Sequence, residues 1–273
     1  AYGPLLTKAY RTTSSNRRSR TGVDWEIGGI LIVLIIISGT YFAYQGVVSA
    51  NAPPLMLQGP NGGYNTDWIQ ALLWLKYNTP QNAVVASWWD YGYWIMALSN
   101  RATLADPSTV NTTQIQALAL ALMSNYTVAD KIFSFYGANY VLIYQPITSS
   151  PSLPTDTGDL GKSSAMLTIA ASANFARMNK TFGVSLSKQM YTNVSNYFNE
   201  ESIPQLGTII VPNGKYATQS TLYNLMFGGD PTVETTFSQL GSVGISVPAF
   251  SVPPGYTLVY HTPDYAIMIY EIT

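Results

Sequence analysis

The longest apolar run of the chain covers residues 27–50, IGGILIVLIIISGTYFAYQGVVSA, and contains no charged residue. At about 1.5 Å per residue it makes roughly 36 Å of helix, enough to cross a hydrocarbon core of about 30 Å with some tilt. Trp25 at one end, and Tyr41 and Tyr44 toward the other, suit the interfacial belts of a bilayer. A secretory signal fits poorly, because the run is too long and its flank too extended. A buried core helix is the remaining rival, and an unbroken run of this length is rare in soluble domains. The pattern therefore predicts a basic cytoplasmic segment at 1–24, a transmembrane helix at 25–50 and an extracytoplasmic globular domain at 51–273. The orientation comes from Lys8, Arg11, Arg17, Arg18 and Arg20, which stand against Asp24 alone before the span. Gly28-Gly29 allows close packing against another helix. The chain begins at Ala1 without an initiator Met and reads as a piece of something longer.

Beyond the span the periodicity predicts a mixed α/β (α+β) unit. Asn51-Ala-Pro-Pro and Gly59-Pro-Asn-Gly-Gly63 form a turn-rich linker. Asp67 caps a helix to about residue 78, with Ile69, Leu72, Leu73, Leu75 and Tyr77 as its apolar stripe and Thr79-Pro80 as its stop. Residues 83–87 read as a short buried strand, followed by a strand-to-helix turn and a helix to about residue 98. Residues 101–105 read as a second strand, 112–125 and 128–136 as helices. Residues 139–144 (NYVLIY) are nearly all apolar, as in a strand covered on both faces. A loop at 146–158 precedes helical patterns at 159–174 and, weakly, at 183–199. Residues 208–211, 255–261 and 266–272 are strands, the last two a short terminal β-hairpin across 262–265, and 220–227 is a short helix. There is no internal repeat and no heptad pattern.

Composition narrows the chemistry. Of 273 residues only 10% are charged, against roughly 25% in ordinary soluble proteins. The net charge of −1 gives no reason to expect nucleic acid. The absence of cysteine excludes disulfides, thiol catalysis and thiolate metal sites, and the single His261 leaves almost no room for a histidine metal site or a Ser-His triad.

Two stretches stand out. Trp88-Trp89-Asp90-Tyr91-Gly92, continued by Tyr93-Trp94, follows the first predicted strand. Rigid aromatic rings beside one carboxylate can grip a short polar ligand, but Trp and Tyr also bury large areas in any core. After the long loop, of a kind that is often functional, Asp159, Lys162 and Met166 follow at i, i+3 and i+7, on one face of a helix. An acid, a base and a flexible apolar tip suit a pocket wall. A capped helix is the alternative, with Asp159 as N-cap, Lys162 solvated and Met166 in the core.

WWDYG at 88–92, followed after a strand and a loop by DxxKxxxM at 159–166, resembles the C-terminal part of the oligosaccharyltransferase catalytic subunit, in its archaeal form above all. The resemblance covers essentially the whole chain. It implies membership of a dolichyl-phosphooligosaccharide-protein glycotransferase, a metal-dependent enzyme of the cell membrane. Such an enzyme transfers oligosaccharide from a lipid-linked donor of the dolichol-phosphate type to the Asn of Asn-X-Ser/Thr in an acceptor polypeptide. It implies that Trp88, Trp89 and Asp90 bind the hydroxyl of the +2 Ser/Thr, that Met166 touches the threonine methyl, and that Lys162 with Asp159 shapes the wall. Tyr91 and Gly92 are implied as motif support, Gly92 allowing a tight turn. Physical chemistry agrees, since a carboxylate accepts from O–H and an indole N–H donates. A site built for a hydroxyl strongly rejects a side chain without one. The methyl contact adds about 1 kcal/mol, a modest preference for Thr. The resemblance also implies that the catalytic acids, the divalent metal (Mg or Mn) and the donor-lipid site lie in an N-terminal transmembrane portion absent from this chain. The segment itself then has no catalytic residue, binds no cofactor and is inactive alone. Consistent with this, no DxD pair occurs; Asp156 and Asp159 are wrongly spaced, and Glu200-Glu201 reads as a solvated helix end.

Four sequons, at Asn111, Asn125, Asn179 and Asn193, are candidate glycosylation sites on an outward-facing domain, though a chain rich in Ser, Thr and Asn also makes sequons by chance. The scarcity of charge hints at an acidic exterior. Two other classes stay open: a membrane-anchored surface binding protein, and another lipid-linked sugar transferase.

Overall fold

The computed structural model describes residues 20–51, 65–145, 158–203 and 207–273. The chain divides into two compact units, Ala1–Asn65 and Thr66–Thr273. The first contributes helix α1 (Arg20–Asn51). Within α1, Ile27–Val48 has a mean hydropathy of 2.1 and no buried side chain, so by length and composition it is able to cross a membrane. Most of the basic segment and the Pro/Gly-rich linker lie outside the described residues.

The second unit is a mixed α/β domain. It opens with α2 (Thr66–Asn78), which buries Trp68, Ala71, Leu72 and Leu75 on one face. Then come β1 (Val84–Ala86), a 3₁₀ turn (Trp89–Tyr91), one turn of helix α3 (Gly92–Trp94), a π turn (Ile95–Ser99) and β2 (Ala102–Thr103). Helix α4 (Thr112–Met123) is buried along its whole length from Ala117 and forms the centre of the core, followed by α5 (Tyr126–Tyr136) and β3 (Tyr140–Tyr144). The chain continues through α6 (Gly158–Gly161), α7 (Ser163–Ala171), α8 (Phe175–Phe182), α9 (Gln189–Thr192), β4 (Phe198–Ile203), β5 (Gly207–Pro212), α10 (Thr221–Gly228), α11 (Val233–Ser242), β6 (Tyr256–His261) and β7 (Ile267–Ile272). The main sheet has the order β2-β1-β3-β7-β6, with β2, β1 and β3 parallel and β7 and β6 antiparallel. The terminal hairpin is therefore no appendage, because β7 lies beside β3 at the middle of the sheet. A second sheet pairs β4 with β5.

Four local readings of the sequence need correction. The helix at 159–174 is two helices, α6 and α7, broken at Lys162. The stretch 183–199 is mostly not helical; it holds only the four-residue α9 and a 3₁₀ turn before β4 begins. Glu200 and Glu201 sit inside β4 opposite Ile210 and Ile209, since cross-strand pairing outweighs a weak helical preference. Helices α8 and α11 were not legible, α11 because Thr, Phe, Ser and Gly give its sequence little intrinsic helix preference. The loop at 146–157 lies outside the described residues.

Candidate functional site

The WWDYG stretch leaves the C-terminal end of β1, and Tyr144 closes the neighbouring parallel strand β3. The mouth beyond the carboxyl ends of parallel strands is where open α/β sheets commonly bind ligands. The turn is closed by Tyr91 N donating to Trp88 O at 3.2 Å. It sends its side chains two ways. Trp88 (3% exposed) and Tyr91 (2%) go into the core, while Trp89 and Asp90 stay half-buried at the surface. The core reading of the aromatic block therefore holds for Trp88 and Tyr91, and Trp89 and Asp90 are the two that reach the surface. Trp68 of α2 anchors it, with its ring 4.8 Å from Tyr91, 4.8 Å from Trp94 and 5.1 Å from Tyr144.

Four polar side chains meet here. Lys162 Nζ pairs with Asp90 Oδ2 and donates to the Tyr91 hydroxyl at 2.7 Å. Tyr91 donates in turn to Asp159 Oδ1 at 2.8 Å, and Asp159 Oδ2 accepts from Tyr144 N at 2.9 Å. Asp159 is neither an N-cap nor part of an open wall. It is fully buried inside the first turn of α6, and burial raises its carboxyl to about 6 despite the attraction of Lys162. Burial also raises the Asp90 carboxyl, outweighing the lowering by Lys162 and by the adjacent backbone N–H groups of Asp90 and Tyr91. Two buried atoms at the surface of this cluster have no hydrogen-bond partner: Trp89 Nε1 and Asp90 Oδ1.

Met166 has no exposed surface (0%) and lies behind the wall, with its N–H donating to Lys162 O at 2.9 Å. Gly92 has ordinary helical angles (φ −55°, ψ −42°), so its glycine does not serve a tight turn. It serves a close approach: an added Cβ would stand 2.7 Å from Asp106 Cα. Sequence reasoning passed over Arg101. Its buried guanidinium donates to Thr79 Oγ1, Thr79 O and Lys76 O at the end of α2, and to Ser99 O and Asn100 O at the end of the π turn. It ties together the two elements that frame the aromatic block, and a lone Arg opening a strand was its only signal. Asn111 and Asn125 cap α4 and α5, Asn193 opens a 3₁₀ turn, and Asn179 lies within α8. Among the described residues no group of three or more His, Cys, Asp or Glu side chains is placed to hold a metal ion.

Residues 81–142, from the approach to β1 into β3, match the family model of the STT3/PglB/AglB core domain. Over 151 residues, 50% of the chain, it is 33% identical to the dolichyl-diphosphooligosaccharide–protein glycosyltransferase subunit stt-3 of Caenorhabditis elegans, covering 20% of that protein. Over 97 residues, 34% of the chain, it is 39% identical to subunit STT3B of the same glycosyltransferase from Oryza sativa subsp. japonica, covering 14% of it. Among solved structures, the C-terminal globular domain of an oligosaccharyltransferase from Archaeoglobus fulgidus matches with a TM-score of 0.42 at 18% identity, over 76% of this chain and 97% of that one. The chain thus spans a fifth or less of the length of these curated relatives. In sequence its similarity is to subunits of the dolichyl-diphosphooligosaccharide–protein glycosyltransferase.

Proposed function

We propose that residues 51–273 form the extracytoplasmic acceptor-binding domain of an archaeal-type oligosaccharyltransferase of the cell membrane, carried by the span at 25–50. In this reading the enzyme transfers oligosaccharide from a dolichol-phosphate-type lipid donor to the Asn of Asn-X-Ser/Thr, and this domain recognises the +2 Ser or Thr. The observation that carries the reading is the unpartnered pair Trp89 Nε1 and Asp90 Oδ1. An indole N–H can only donate and a carboxylate oxygen can only accept. A hydroxyl does both, so a Ser or Thr Oγ has the donor and the acceptor that this pair calls for, and a side chain without it leaves two buried groups unpaired.

The neighbouring residues prepare that pair. Lys162 occupies Oδ2 of Asp90, which leaves Oδ1 for the ligand. Tyr91 and Asp159 hold the Lys162 ammonium on that oxygen, and Trp88 and Met166 back the wall from the core. Catalytic acids, a divalent metal (Mg or Mn) and the lipid-linked donor are assigned in this reading to the transmembrane part of the enzyme, so the chain by itself turns over nothing. The test is Trp89→Ala and Asp90→Ala in the intact enzyme, with an Asn-X-Thr peptide as acceptor. A loss of glycosylation of about 10²-fold or more is expected, as for other sites that read a hydroxyl. Unchanged transfer overturns the assignment.

A further inference from the structure

The four sequons are not equivalent in the fold. Asn111, Asn125 and Asn193 are exposed, and each spends its side-chain oxygen on a cap, accepting at 3.1 Å from Gln114 N, Val128 N and Ser195 N respectively. A cap uses the amide oxygen and leaves Nδ2 free to project. Asn111 gives one of its two N–H groups to Gln114 Oε1 at 3.0 Å and keeps the other. Asn179 is different. It is half-buried in α8, its Nδ2 donates to Leu186 O at 2.8 Å, and its Oδ1 accepts from Leu186 N at 2.9 Å.

A second, independent observation separates the same residues. Each exposed cap adjoins an exposed apolar side chain: Val110 (86%) precedes Asn111, Tyr126 (39%) follows Asn125, and Val194 (40%) follows Asn193. Asn179 is followed by the exposed, charged Lys180. Isolated exposed apolar residues are ordinary; their pairing with the three open sequons, and a cation at the closed one, is the informative part. A glycan lies over its flanking side chain and turns hydroxyls to water, which suits a surface with only 10% charged residues in the chain.

We infer that Asn111, Asn125 and Asn193 carry N-linked oligosaccharides that cover Val110, Tyr126 and Val194, and that Asn179 is unmodified. The inference rests on the outward placement proposed above, and not on the hydroxyl pocket. In the modification, Asn Nδ2 bonds to the anomeric carbon of a lipid-phosphate-linked oligosaccharide as the bond from that carbon to the phosphate oxygen breaks. The lipid phosphate leaves with the bonding electron pair, and the amide nitrogen loses one proton. The amide oxygen is untouched, so all three caps survive.

The experiment is site-resolved mass spectrometry of the protein purified from its native membranes, with an Asn-X-Thr tag appended after Thr273 as an internal control. Glycan is expected on Asn111, Asn125, Asn193 and the tag, and none on Asn179. Thr127→Ala removes the sequon but keeps the Asn125 cap. It is expected to remove one glycan mass, leave the fold intact and increase binding of an apolar fluorescent dye at the uncovered Tyr126. A modified tag with bare Asn111, Asn125 and Asn193, or glycan on Asn179, overturns the inference while the outward placement stands. A bare tag together with three bare sequons overturns the placement and the inference with it.

Discussion

Gly92 and Asp106 are so close that a single methyl group cannot stand between them: a Cβ on Gly92 would lie 2.7 Å from Asp106 Cα and 2.8 Å from its Cβ. The backbone of 105–106 thereby seats the turn that carries Trp89 and Asp90. Gly92→Ala is expected to push the turn off this seat, lower stability by about 1–3 kcal/mol as overpacked sites do, and weaken recognition of a hydroxyl-bearing peptide. Denaturant unfolding and peptide transfer by the intact enzyme check this. Wild-type values of both would show that the neighbouring segment yields freely.

The pH dependence follows from burial. Asp159 titrates at about 6 in the folded protein against 3.8 ordinarily, and Asp90, Asp67 and Asp130 are displaced in the same direction, each mainly by burial. Between about pH 4 and about pH 6 the folded protein therefore binds protons that the unfolded chain has released, and stability falls as pH rises through that window. The unfolding midpoint is expected to be higher near pH 4 than near pH 7, with a shallower slope in Asp159→Asn. A midpoint that climbs across the window contradicts the account, and a maximum at neutral pH with steep loss by about pH 3 would also remove the case for an acidic exterior.

Met166 separates packing from recognition. Because it is fully enclosed, Met166→Ala is expected to cost about 2–4 kcal/mol of stability through a cavity. It should slow transfer to Asn-X-Ser and Asn-X-Thr peptides by the same factor. A loss confined to the Thr peptide would instead mean that the methionine reaches the threonine methyl, as the family resemblance implies. Paired kinetics with the two peptides distinguish these outcomes.

How much was legible is best judged from particular residues. The apolar run at 27–50, the covered strand at 139–144 and the terminal hairpin were readable because they depend on local periodicity, and the observed α1, β3, β6 and β7 follow it closely. The WWDYG stretch was legible as a candidate, yet its division was not: alternation cannot say that Trp88 turns inward and Trp89 outward when a 3₁₀ turn begins between them. Nor could spacing reveal that α6 and α7 break at Lys162, or that 198–203 pairs with 207–212 rather than coiling. Those outcomes depend on neighbours that hydrogen-bond the backbone from elsewhere.

The sequence by itself determined the materials of the site: an aromatic block with one carboxylate, an acid and a base one helical turn apart, in a chain where only 10% of residues are charged. Tertiary structure decided how they are used. It brought Tyr91 and Asp159, 68 positions apart, to 2.8 Å, set Lys162 on one oxygen of Asp90 and left the other oxygen, like Nε1 of the adjacent residue Trp89, buried without a partner. Local patterning fixes which face of an element is apolar. Only the packing of β1 beside β3, with α6 behind them, fixes which polar atoms end up buried together and which are left for a ligand to complete.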